Sequence, residues 1–105
     1  MTYQELVTKL IEIQKHMMPD LEKYDHEDRL PEGLRVAKAE IIEWEHKVDG
    51  WGGLEEAPEI WPVEKFAREL RENEDIFNDF MRRNIAEYES LAAQLPAAYD
   101  HPLGQ

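Results

Sequence analysis

Leu34, Ala37, Ile41, Trp44 and Val48 stand three, four, three and four residues apart, the step that gathers apolar side chains on one stripe of an α-helix. A strand cannot use that step, because its successive side chains face opposite sides. The same period runs through Tyr3, Leu6, Val7, Leu10, Ile13 and Met17, behind a Thr2-x-x-Glu5 capping box. It restarts at Val63, Phe66, Ala67 and Leu70, with Pro62 suited to a first helical turn, and returns through Phe77, Phe80, Met81, Ile85, Tyr88, Leu91, Ala92 and Leu95. β-Branched residues are few and fall inside these periods. The expected fold is therefore all-α, a compact bundle of three or four helices forming one domain over residues 1–105.

Prolines and glycines set the expected boundaries. Pro19 forces the preceding residue away from the helical region, so the first helix is expected to cover about residues 3 to 17. The polar stretch from Pro19 to Gly33, with Leu21, Tyr24 and Leu30 as its apolar anchors, reads as a connection that includes one helical turn at most. Asp49-Gly50 stops the second helix. Neither Gly nor Pro lies between Val63 and Leu95, which allows one long C-terminal helix of about 50 Å or two helices with a kink near Asn73. Pro96 is expected to end it, leaving 96–105 as an irregular tail.

Several chemistries lack their residues. The chain has no cysteine, which removes disulfides, thiolate metal sites and a thiol nucleophile, and fits a reducing compartment. No basic leader with an apolar core opens the sequence, and no apolar run approaches the length that spans a bilayer, so a cytoplasmic location is expected. The hydroxyls of Thr2, Thr8 and Ser90 sit in helical contexts without a base beside them, which argues against a serine-type hydrolase. Gly50-Trp51-Gly52-Gly53 follows a helix rather than a strand and lacks the Lys-Ser/Thr of a phosphate loop. His16, His26, His46 and His101 are scattered, and only Glu43 and His46 make a Glu-x-x-His step, short of the pair that a bundle di-iron centre needs. No cofactor or metal is expected.

One enzymatic pattern carries weight. Glu40-x-x-Glu43 and Glu72-x-x-Asp75 place two acidic pairs on separate helices of a small all-α chain. In these four residues the sequence resembles the all-α nucleoside triphosphate pyrophosphohydrolases. The resemblance implies that Glu40, Glu43, Glu72 and Asp75 would hold magnesium for attack of water on a phosphate chain. On the helical wheel, however, Glu40 lies at the flank of the apolar stripe and Glu43 on the solvent side.

Charge supplies the other lead. The chain carries 24 acidic and 12 Lys or Arg residues, a formal −12 on 105 residues. The span Glu40 to Asp79 holds 13 of the acids and 4 of the bases. Such a field repels nucleic acid and anionic membranes and speeds the approach of basic partners. Trp51 and Trp61 bracket a segment with Glu55, Glu56 and Glu59, and Glu64 follows; tryptophan among carboxylates is a docking anchor for a Lys- or Arg-rich protein. Glu69, Glu72, Glu74, Asp75 and Asp79 form a second acidic group. As a nucleic-acid mimic the span is dilute, with about one net charge per 6 to 7 Å of helix against about one per 1.7 Å of duplex.

The sequence thus points to a small non-enzymatic acidic protein that docks on a basic macromolecule and modulates or blocks it, as bacterial immunity proteins, antitoxins and phage-encoded nuclease inhibitors do by analogy. Trp51, Glu55, Glu56, Glu59, Trp61 and Glu64 are the first expected contacts, with the second acidic group behind them. A magnesium-dependent pyrophosphohydrolase is the alternative. A self-associating helical component is a third, with Ile42 and the Val63 to Leu95 stripe as its contacts.

Overall fold

A computed structural model of the chain describes residues 2–50 and 59–99, the side chain of Tyr99 excepted. Four α-helices follow one another: α1 (Tyr3–His26), α2 (Glu32–Asp49), α3 (Trp61–Glu72) and α4 (Asp79–Tyr99). No strand occurs among the described residues.

Helix α1 starts as expected. Thr2 Oγ1 accepts from the Glu5 amide at 3.1 Å, and Glu5 Oε1 accepts from the Thr2 amide at 3.3 Å. Its end is a correction, because Pro19 lies inside the helix rather than after it. An interior proline costs about 3 kcal/mol through its missing N–H and its clash with the preceding turn. Leu21 and Tyr24 carry the apolar stripe on from Met17 past Pro19, and all three are buried. Burying Leu21 contributes about 1.5–3 kcal/mol, and Tyr24 adds a comparable amount. Tertiary burial outweighs the proline, and Pro19 itself faces solvent.

The expected 19–33 connection therefore shrinks to Glu27–Pro31. Asp28 takes the left-handed conformation with φ 57°, which Asp tolerates better than most residues. The Asp28 amide donates to the Asp25 carbonyl and the Arg29 amide to the Tyr24 carbonyl at 2.8 Å, the two bonds of a Schellman stop. Arg29 sits over the Tyr24 ring, 4.6 Å from its centre, where such stops usually place an apolar contact.

Helix α2 buries Leu34, Ala37, Ile41 and Trp44, with Val48 partly covered, and Gly50 closes it. Trp44 Nε1 donates to the Glu59 carbonyl, fixing the chain as it enters α3. Helix α3 buries Val63, Phe66, Ala67 and Leu70.

The question left open at Asn73 is resolved in favour of two helices. Asn73 Nδ2 donates to the Glu69 carbonyl at 2.8 Å, occupying an acceptor of the last turn, and a short 3₁₀ turn, Glu74–Ile76, follows. Phe77 is extended and buried, its ring edge-on to Tyr24 at 5.1 Å. Asn78 Oδ1 then accepts from the Met81 amide at 2.8 Å, the side-chain cap that starts α4. One asparagine stops a helix and the other begins the next, without Gly or Pro.

Two further expectations need correction. Helix α4 runs through Pro96 to Tyr99, so 96–99 are helical rather than part of an irregular tail; Leu95 is buried and Ala98 packs on the core, which holds this last turn down. Residues 100–105 lie outside the described residues. Phe80, placed by its spacing in the apolar stripe, is 43% exposed, since it stands in the first turn of α4 beyond the cap.

Helix α1 packs on α4, α4 on α3, and α3 on α2. Contacts between neighbours run in opposite directions along the chain: Gln14 meets Tyr88 while Tyr24 meets Phe77, and Glu40 meets Lys65 while Trp44 meets Glu59. The result is an up-down-up-down bundle. Polar side chains join α1 to α2: Asp25 accepts from Lys38 at 3.1 Å and pairs with Arg35 at 2.8 Å, while Gln14 donates to Glu45 at 2.8 Å.

Candidate protein-docking surface

The acidic residues of α3 and the turn after it divide by what they touch. Arg71 engages Glu89 through two donors, Nε at 2.6 Å and Nη2 at 2.9 Å, and also pairs with Glu74. The hydrogen bond from Arg71 is the main reason the Glu89 carboxyl titrates below its ordinary range. Glu74 is thus occupied within the fold. Asp79 stands 3.4 Å from Arg82 on the same helix, an exposed pair of little energetic weight. Glu69 is half-buried against the first turn of α2; a Cβ added at Gly33 would lie 2.8 Å from its Oε2.

Glu59, Glu64, Glu72 and Asp75 are exposed, and none takes part in an ion pair among the described residues. Glu64 and Glu72 lie eight residues apart on α3 and so share a side of it. Trp61, at the start of the same helix, is 53% exposed, and Lys65 Nζ approaches its ring to 5.1 Å. Lys65 is held there by Glu40, 3.1 Å away on α2. Trp51, Glu55 and Glu56 lie outside the described residues.

The four carboxylates of the pyrophosphohydrolase pattern do not gather. Glu40 is engaged by Lys65, and its Oε2, although short of hydrogen-bond geometry, has that ammonium 3.1 Å away. Glu43 points to solvent from α2, and Glu72 and Asp75 stand at the far end of α3. Because α2 and α3 run antiparallel, Glu72 lies level with the start of α2 rather than with Glu43. Among the described residues no group of three or more His, Asp or Glu side chains is placed to hold a metal ion. The stripe considered for self-association is likewise spent inside: Val63, Phe66, Leu70, Ile85, Tyr88 and Leu95 are buried, and Ile42 is only half-exposed.

One polar element escaped the sequence reading. Gln14 is fully buried in α1, donates to Glu45 on α2, and accepts from the Tyr88 hydroxyl on α4 at 2.7 Å. Burial pushes the Tyr88 phenol well above its ordinary pKa, and the Glu45 carboxylate adds to the rise. The position of Gln14 one residue after Ile13, on the line through Leu10, Met17 and Leu21, was the available signal. Compared with family models, with characterised proteins and with solved structures, the chain matches none of them. The all-α four-helix architecture is the coarsest identity that its geometry carries.

Proposed function

We propose that the chain is a non-enzymatic acidic docking protein whose α3 face engages a basic protein and modulates or inhibits it. The observation that carries this reading is the set of exposed carboxylates without an ion pair among the described residues: Glu64 and Glu72 on a helix headed by a half-exposed tryptophan, with Glu59 just before that helix and Asp75 just after it. Carboxylates that touch no cation within the fold keep more of their field for an approaching one than those held in ion pairs. Trp61 offers rigid contact area at low entropic cost once charge has steered the partner in. The sign of the charge disfavours direct nucleic-acid binding. The partner's basic surface can itself be a nucleic-acid site, which the docked chain would cover.

The test uses capture from lysate at low and moderate salt, identification by mass spectrometry, and association kinetics with the partner found. The triple variant E59K/E64K/E72K changes only exposed side chains without ion pairs and is expected to stay folded. It should slow association at low salt by at least about tenfold and flatten the salt dependence. The same partner bound at an unchanged rate by the triple variant would refute the reading.

A further inference from the structure

A shallow groove runs between α3 and α4, and its composition narrows the partner's chemistry. Ala67, Ala92, Ala93 and Pro96 form the floor. Small side chains there let a third backbone come close, the condition for a helix to pack along two others. Glu64, Arg68 and Glu72, at four-residue steps, make the α3 wall. None of the three is ion-paired among the described residues, so the wall presents a minus, plus, minus row with about 6 Å of rise between charges. The Arg71–Glu89 pair, which also lines the groove, is internally neutral and adds no net charge.

We propose that this groove takes an amphipathic helix of a basic protein, one that carries a cation, an anion and a cation at successive four-residue steps beside a small apolar face. A docked helix has the same rise per residue, so its plus, minus, plus row meets the wall in step, and the symmetry of the row permits either chain direction. Rim ion pairs contribute little each, so the apolar floor supplies most of the affinity while the charge row selects the partner and its register. The inference rests on the docking reading above and adds to it where, and by what pattern, the partner binds.

The probe is a side-chain-constrained helical peptide with one Ala/Leu face and Lys, Glu, Lys at four-residue steps, titrated onto the full chain by fluorescence anisotropy. Two counterparts carry Glu, Lys, Glu and Lys, Lys, Lys. The Lys, Glu, Lys peptide should bind at least about tenfold more tightly than the inverted one and more tightly than the all-Lys peptide. A93W, which fills the groove from an exposed position, should weaken it at least about tenfold, while A39W on exposed α2 leaves it within about twofold. R68E turns the wall uniformly negative without touching the floor and should shift preference to the all-Lys peptide, an arm that stands even if A93W fails to fold. Equal binding of the Lys, Glu, Lys and all-Lys peptides to the native chain, no binding of either, or indifference to both A93W and R68E overturns the groove proposal. If E59K/E64K/E72K still slows association of the captured partner, only the groove assignment falls; if that rate is unchanged as well, both fall.

Discussion

The Gln14, Tyr88 and Glu45 chain permits a quantitative test of what fixes this core. Gln14 and Tyr88 are both fully buried and are each other's partner at 2.7 Å, while the Tyr88 ring packs edge-on against Phe66 with centres 5.5 Å apart. Y88F keeps the ring and removes the hydroxyl, leaving the Gln14 oxygen without its donor in a dry site. A lost hydrogen bond is worth about 0.5–1.5 kcal/mol net and an orphaned buried polar group about 1–3, so the overlapping cost should be about 2 kcal/mol. For a chain of this size that lowers Tm by about 8 °C. Q14L orphans the Tyr88 hydroxyl instead and should cost a similar amount, since the half-exposed Glu45 can turn to water. The double variant Q14L/Y88F leaves no orphan. Its loss should fall at least about 1.5 kcal/mol short of the sum of the single losses. Urea unfolding of the four proteins, with m unchanged, measures the cycle. A pH arm adds an independent check. The folded pKa of Tyr88 is raised, so its contribution is full below the ordinary value of about 10 and is lost as pH rises beyond it. The stability gap between the native chain and Y88F should therefore narrow above pH about 10. Additive single losses, or a gap indifferent to alkaline pH, would refute the idea that these side chains act as one unit.

Two further outcomes follow from the same geometry. P19A restores a backbone donor at an exposed mid-helix position and should stabilise the fold by about 1–3 kcal/mol in thermal or urea unfolding; a loss of stability would show that the proline shapes α1 to fit the bundle. R71Q removes the main hydrogen bond on Glu89, so NMR titration should find the Glu89 carboxyl raised toward its ordinary range. Because the native Glu89 pKa is depressed, the stability advantage over R71Q is present above the unfolded-state carboxyl pKa and should shrink as pH falls through the folded one. An advantage that persists undiminished in acid would contradict this.

Among the described residues, periodicity alone located the helical stretches and nearly all of the core, though not where α1 ends or that α3 and α4 are separate, because a 3.6-residue repeat records which side must be buried wherever the helix ends up. Leu34, Ala37, Ile41 and Trp44 needed no tertiary information. Neither did the capping box at Thr2, which is complete within four residues of chain. Boundaries at proline were not local in this way. Whether Pro19 or Pro96 ends a helix depends on what the residues beyond it bury, and the sites for Leu21, Tyr24 and Ala98 exist only in the assembled bundle. The reverse held at Asn73 and Asn78, where two side chains that bond to nearby backbone separate helices that the apolar stripe alone would have joined.

For the docking surface the division is similar. The sequence by itself placed the acidic excess between Glu40 and Asp79 and Trp61 at the edge of an acidic segment, since charge and residue type need no folding to be read. Only the tertiary structure decided which carboxylates remain unanswered. Arg71 reaches across to α4 and takes Glu89 along with Glu74, Lys65 takes Glu40 from α2, and Glu69 turns against Gly33. Apart from Arg71 with Glu74, three residues on, these contacts join residues that are neighbours because helices pack, not because the chain places them side by side. An ion pair needs its partners within about 4 Å, and a sequence of helices fixes that distance only along each helix, never between them.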